Sequence, residues 1–314
     1  MHKRSLLLRS KQMEISIIIC TYNTKSITLE CLDKLKKSID FLKKKVEVIL
    51  IENGTDGTGI VIKSKYPWVK VIDLNENTGF AKGNNLGIKI ASKNSKYFLF
   101  LNTDAFVNQE TLLKSVSFME KNDECSVLGC KLKLDDGSTQ PSAGFLPTPL
   151  SVFTWILGID LLPIVSHLLN QFHPKFKEFF KKDRRVGWVM GAFLFTRNDV
   201  IATTKGFDEN FFMYTEEVEW CKRINDAGYE IWYTPSFEVT HLDKSSSKSD
   251  PEKLRKIAKN EIVGVIYFLK KYYQSTILLT LFFIKLGLFL RVIAFFVLGD
   301  KNRMKTYLET LKEI

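Results

Sequence analysis

The first hundred positions alternate between two hydrophobic rhythms. Residues 14–20 (EISIIIC) form a short apolar run, residues 27–42 repeat Ile and Leu at helical spacing, and residues 46–51 (VEVILI) return to the first pattern. The alternation continues with a helical stretch at 59–65, a strand at 69–74, a helix at 80–91 and a strand at 97–101. Short apolar runs separated by amphipathic helices predict an α/β fold with a mostly parallel central sheet flanked by helices, Rossmann-like in its first half. In such sheets ligands gather beyond the carboxyl ends of the strands.

Polar clusters fall at those ends. Thr21-Tyr22-Asn23 follows the first strand, Glu52-Asn53-Gly54 the second, Asn75-Glu76-Asn77 the third and Asn102-Thr103-Asp104 the fourth. Turn chemistry alone explains any one of them; four that converge predict a ligand site. Two familiar nucleotide signatures are missing. The first strand leads into CTYNTKS, not GxGxxG, and Gly54, Gly57 and Gly59 lack the GxxxxGK[ST] spacing.

The second half carries a long strand pattern at 230–241, a run of strand type at 186–195, and an apolar, proline-punctuated stretch at 146–172. Residues 276–298 are almost wholly apolar, interrupted by Lys285 and Arg291. Their Leu, Ile, Phe and Val contribute roughly −5 to −10 kcal/mol on an insertion scale, against about +5 to +7 kcal/mol for the two cations. At helical spacing Thr276, Thr280, Gly287, Arg291 and Ala294 share one stripe, with Lys285 opposite, so that stripe is expected to pack on protein. Lys270, Lys271, Tyr272 and Tyr273 before the segment and Lys301, Arg303 and Lys305 after it suit an interfacial anchor, with a single span as the alternative.

Composition narrows the setting. The formal net charge of +11 is concentrated in residues 175–185 and 251–314, both beside apolar, aromatic-rich sequence, which favours anionic lipid over nucleic acid as partner. No nucleic-acid-binding module is recognisable. Five scattered cysteines without a CxxC pair suggest neither a disulfide framework nor a zinc cluster, and fit a reducing compartment. The apolar run near the amino terminus is only Leu6–Leu8, too short for a signal-peptide core. The expected location is the cytoplasmic face of the plasma membrane, held peripherally or monotopically.

Taken in order, SIIICTYN (16–23), IENGTDGT (51–58), NENTGFAKGNN (75–85), LNTDA (101–105), VGWVMGAFLFTR (186–197), GFDENFFMYTEEVEWCKRINDAGY (206–229) and VTHLDKSS (239–246) resemble glycosyltransferase family 2, of GT-A fold, and its rhamnosyltransferase-like members. The division expected is an extension at 1–12, a GT-A domain at 13–250 and a helical, membrane-associating region at 251–314. The resemblance implies inverting transfer of a sugar, with rhamnose expected, from a dTDP- or UDP-sugar. The acceptor would be a hydroxyl of a cell-surface glycan or lipid-linked saccharide, and residues 146–172 its wall near the membrane.

Site roles follow from the same resemblance. Asp104 matches the metal-binding aspartate of the DxD position and His241 the histidine that completes the site, for a divalent Mg²⁺ or Mn²⁺ that stabilises the leaving diphosphate. Asn102 stands where that motif usually has Asp. Glu217 matches the catalytic base, with Glu216 beside it and Glu219 as a rival, and Glu-Glu replaces the usual Glu-Asp. Thr21, Tyr22, Asn23, Glu52, Asn77, Gly79, Gly83, Asn84, Asn102 and Thr103 are expected around the nucleotide-sugar. Trp188, Gly191, Ala192 and Glu216 are expected on the acceptor side, and Lys244, Ser245 and Ser246 near phosphate. Bland alternatives stay open: Asp104 as a helix cap before residues 109–119, acids favoured by a helix dipole, and Val186 onward as ordinary strand packing. The departures at 52, 102 and 217 also leave room for a catalytically silent sugar-nucleotide sensor or scaffold.

Overall fold

The computed structural model describes residues 14–162, 170–242 and 251–314. The extension at 1–12 and Lys244, Ser245 and Ser246 lie outside the described residues. In chain order the elements are β1 (Ile15–Thr21), α1 (Lys25–Leu42), β2 (Val46–Glu52), α2 (Thr58–Lys65), β3 (Val69–Asp73), α3 (Phe80–Ile90), β4 (Tyr97–Leu101) and β5 (Ala105–Phe106). There follow α4 (Thr111–Lys121), β6 (Cys125–Lys133), β7 (Thr139–Gln140), β8 (Ala143–Gly144), α5 (Pro149–Leu157), β9 (Arg184–Val186), β10 (Trp188–Val189) and β11 (Phe193–Arg197). The last are α6 (Asn198–Thr204), α7 (Glu216–Asp226), β12 (Glu230–His241), α8 (Pro251–Tyr272), α9 (Ile277–Val297) and α10 (Lys301–Glu313).

The main sheet runs in the order β3-β2-β1-β4-β11-β6-β12-β5, with β7 on β6 and β9 on β12. β1 lies parallel to β2 and β4, β2 parallel to β3, and β6 parallel to β12. β11 runs antiparallel to both β4 and β6 and so joins the two parallel blocks. The α/β expectation holds, with the sheet mixed at that junction. Alternation along β1 divides the core: Ile15, Ile17 and Ile19 meet Leu32 and Leu35 of α1 and Leu112 of α4, whereas Ile18 faces the cluster holding Ala81, Trp220 and Val265.

The strand-type run at 186–195 is divided into β9, β10 and the start of β11. At Gly187 an added Cβ would lie 2.9 Å from the Phe145 carbonyl carbon, so two chain segments cross there at a spacing no side chain tolerates.

The carboxy-terminal helices build on the same core. Ile262, Val265, Ile266 and Leu269 of α8 recur at helical spacing and are buried with the sheet residues. α9 lies on α5, where a Cβ on Gly287 would come within 2.9 Å of Ile156. Arg291 donates to the Trp155 carbonyl at 3.2 Å and to the Tyr307 hydroxyl of α10. Thr280, Gly287 and Arg291 therefore face protein and Lys285 faces away, whereas Thr276 and Ala294 at the two ends of the expected stripe are exposed. The outward face keeps Leu278 83%, Phe282 61% and Phe296 72% exposed.

Candidate active site

Sheet register brings three distant motifs together. β11 pairs Phe193 with Leu101 of β4, so the turn after β4 meets the turn before β11, and the Asn102 N–H donates to the Ala192 carbonyl at 3.1 Å. One residue back, the Gly191 N–H donates to the Glu217 carboxylate at the start of α7. On the other side, β12 pairs His241 with Ala105 of β5, and the Leu242 N–H donates to the Asp104 carbonyl at 2.8 Å. Asp104 and His241 thus follow the same β4 end whose neighbour, the turn before β11, meets Glu217.

His241 Nε2 lies 3.3 Å from Asp104 Oδ1 and makes no hydrogen bond, although it is buried. Its Nδ1 is 2.7 Å from Gln140 Oε1. An amide oxygen only accepts, so Nδ1 carries the proton and the Nε2 lone pair faces a carboxylate oxygen. Two acceptors held face to face fit a cation between them. The donor set, one carboxylate and one imidazole with the Asn102 amide nearby, suits a hard divalent ion and brings no thiolate. Among the described residues no group of three or more His, Cys, Asp or Glu is placed to hold a metal ion, so remaining coordination positions would fall to neutral or substrate oxygens.

The acids of α7 divide into two kinds. Glu219 is fully buried; burial alone would raise its pKa, but hydrogen bonds from Arg223, Lys271 and Tyr272 overcome this and hold it below the usual range. Those bonds, at 2.7–3.0 Å, saturate the carboxylate and remove it as a rival base. Glu216 and Glu217 have no such cations. Each buries an Oε2 without a hydrogen-bond partner. Burial, then the charge of Glu217, pushes Glu216 well up, and burial likewise raises Glu217 despite the backbone N–H bonds it accepts. The Tyr214 phenol is pushed up to about 12 by burial and then by Glu216, Glu261, Glu217 and Asp104.

The turn that presents these acids is strained. Tyr214 and Thr215 have φ of 74° and 75°, a region that side-chain-bearing residues avoid at about 1–3 kcal/mol each. α8 braces it: a Cβ on Gly264 would sit 2.7 Å from the Thr215 hydroxyl and 3.0 Å from the Tyr214 carbonyl oxygen.

The first two loops converge as expected. Thr21, Thr24 and Thr103 form a hydroxyl chain, with links of 2.9 and 3.4 Å, that ties the turn after β1 to the turn after β4. Asn23 accepts from the Thr55 N–H at 2.9 Å, joining the second loop, and Tyr22 is 53% exposed at the rim. Glu52 is buried, accepts from the Gly54 N–H at 2.7 Å and keeps Oε2 unpartnered; burial raises its pKa.

Other expected contacts are turned toward protein. Asn77 is exposed and folds back on the Gly79 N–H at 3.1 Å. Asn84 is buried and donates to the Phe80 carbonyl at 2.9 Å, within its own helix. The Gly83 position is filled by Cys20 and Asn53, and Gly79 (φ 84°) abuts Phe212, so chain packing accounts for both glycines. Trp188 is buried, with its indole N–H on the Phe172 carbonyl at 3.0 Å, and supports the site from beneath.

Thr24, Gln140, Tyr214, His173 and Glu261 enter the site without a sequence signal of their own. Gln140 lies 101 residues from His241, and only the pairing of β7 with β6 beside β12 reveals the contact.

Comparison with known proteins agrees with this architecture. Residues 16–157 match the model of "Glycosyl transferase family 2". The chain is 27% identical over 221 residues to N-acetylglucosaminyl-diphospho-decaprenol L-rhamnosyltransferase of Mycobacterium tuberculosis, covering 67% of this chain and 70% of that one. It is 25% identical over 179 residues to rhamnosyltransferase WbbL of Escherichia coli, covering 54% of this chain and 63% of that one. In fold it resembles a mannosyltransferase of Pyrobaculum calidifontis solved with GDP-Man and Mn²⁺, at TM-score 0.56 and 14% identity, over 96% of this chain and 87% of that one. The family match at residues 16–157, the motifs and the GT-A sheet agree, and the chain is similar to glycosyltransferase family 2 proteins, rhamnosyltransferases among them.

Proposed function

We propose that this enzyme transfers rhamnose from a dTDP- or UDP-sugar, with inversion, to a hydroxyl of a lipid-linked saccharide at a membrane surface. The observation that carries the proposal is the short bridge Asn102–Ala192–Gly191–Glu217, which sets a partly desolvated carboxylate beside the Asp104–His241 pair. Glu217 is the base. The Gly191 N–H bonds its carboxylate and Oε2 stays unpartnered, so one oxygen remains to take the acceptor's proton. As that proton leaves, the acceptor oxygen bonds to the anomeric carbon, and the bond to the diphosphate breaks with its electron pair departing on the diphosphate. A raised pKa strengthens the base without demanding an extreme pH. Asp104 and His241, with Asn102 beside them, would hold a divalent ion, which supplies Lewis-acid stabilisation of the diphosphate charge. Thr21, Tyr22, Asn23, Glu52 and Thr103 border the nucleoside side.

The membrane assignment rests on α9. Among the described residues one helix, including the turn at its start (Gln274–Val297), is long and apolar enough to cross a bilayer. Its small-residue stripe is occupied by α5 and α10 and its apolar outward face is free, an arrangement that favours lying in the interface over spanning.

Turnover of a panel of dTDP-, UDP- and GDP-sugars with Mn²⁺ tests the reaction, using a short-chain prenyl-diphosphate N-acetylglucosamine as acceptor. The proposal expects dTDP-rhamnose to be consumed with a new disaccharide formed. Donor binding without turnover by any sugar would instead favour a silent sensor.

A further inference from the structure

The helix that follows the catalytic motifs carries a side chain into the site. Glu261 of α8 has its Oε1 3.1 Å from His173 Nε2, a nitrogen that is itself buried and makes no hydrogen bond, while the two side chains are 33% and 19% exposed. The His173 ring is fixed by aromatic neighbours: Phe172 at 3.9 Å, Trp188 at 5.2 Å and Trp155 at 5.4 Å between centroids. Glu261 stands one turn before Gly264, which packs on the Thr215 turn leading into Glu217, and both groups act on Glu217, Glu261 raising its pKa and His173 lowering it. Glu216 and Glu217 each bury an unpartnered oxygen there.

We propose that His173 and Glu261 form an acceptor-binding pair that grips a second hydroxyl of the incoming saccharide and so fixes which hydroxyl meets Glu217. The pair rests on the transfer reaction proposed above. Its chemistry suits a polyol: a carboxylate accepts from one hydroxyl while an imidazole N–H donates to another. A purely structural staple between α8 and the body is already supplied elsewhere. Lys271 of α8 reaches both Asp208 and Glu219 at 2.7 Å, and the Tyr272 hydroxyl reaches Glu219 at 2.7 Å. Those contacts are more buried, at the Glu219 end, than the His173–Glu261 contact. Because α8 runs on into α9, the element that would meet the lipid surface also positions Glu261.

The test uses full-length protein with Mn²⁺, dTDP-rhamnose and the prenyl-diphosphate acceptor probe. Glu261→Gln and His173→Gln are each expected to raise acceptor KM by about ten- to hundredfold, the loss expected for hydrogen bonds to charged groups. Donor KM, slow donor hydrolysis and Tm should stay near wild type, and the double variant should lose less than the product of the single losses. Unchanged acceptor KM, or a parallel loss in donor KM and Tm, would overturn the pair as an acceptor site. A wild-type protein that consumes none of the nucleotide-sugars would overturn the transfer reading itself, and the pair with it.

Discussion

His241 Nε2 faces Asp104 Oδ1 at 3.3 Å while Gln140 holds the opposite ring nitrogen at 2.7 Å. The tautomer is therefore set by a residue that does not touch Asp104. Gln140→Leu is expected to weaken divalent-ion affinity by about 10–100-fold, the usual cost of losing such support, with activity restored at high Mn²⁺. Titration of activity against Mn²⁺ checks this. An unshifted Mn²⁺ dependence would remove Gln140 from the role.

Gly264 leaves no room above Thr215. Gly264→Ala is expected to push on the strained Tyr214–Thr215 turn and cost about 1–3 kcal/mol. For a chain of this size that lowers Tm by about 2 °C per kcal/mol or less. Thermal unfolding with parallel rate measurement should show Tm and kcat falling together. A silent substitution would mean that α8 does not brace the site.

Glu216 makes stability depend on pH. Below its unfolded pKa of about 4.3 both states are protonated and it costs nothing. As pH rises, the unfolded chain loses the proton first, so stability falls until pH passes the raised folded value. Glu216→Gln is expected to match wild type in Tm near pH ~4 and exceed it by several degrees near pH ~8. Equal Tm values across that range would contradict the burial of an ionisable carboxyl.

The outward face of α9 is expected to bind bilayers. Leu278→Ser with Phe282→Ser removes two exposed apolar side chains worth about 1.5–3 kcal/mol each on burial. Sedimentation with phosphatidylserine vesicles should fall at least tenfold, with Tm near wild type because both side chains are mostly exposed. Undiminished sedimentation would place the membrane contact elsewhere.

Much of the donor half was legible in the sequence because its signals are local. β1, β2, β3 and β4 each show an apolar run ending in a polar cluster, and parallel pairing places those ends side by side. The other side of the site was not legible for the opposite reason. Its partners, Gln140 with His241 and His173 with Glu261, are separated by long stretches of chain and meet only through β6, β12 and α8. The basic charge of residues 251–314 suggested a membrane appendage, whereas Ile262, Val265, Ile266 and Leu269 of α8 are buried in the core. The resemblance sets Asn84, Gly79 and Gly83 near the nucleotide-sugar, and in the structure they pack against Phe80, Phe212 and Cys20.

The central claim, a carboxylate that takes a proton beside a bound nucleotide-sugar, is tested most directly by Glu217→Gln. The amide keeps the side chain's shape and its bond to Gly191 but cannot accept a proton. Calorimetric donor affinity with Mn²⁺ should stay near wild type while transfer falls by about 10²–10⁴-fold. Transfer at close to the wild-type rate by a protein that binds donor normally would contradict the account.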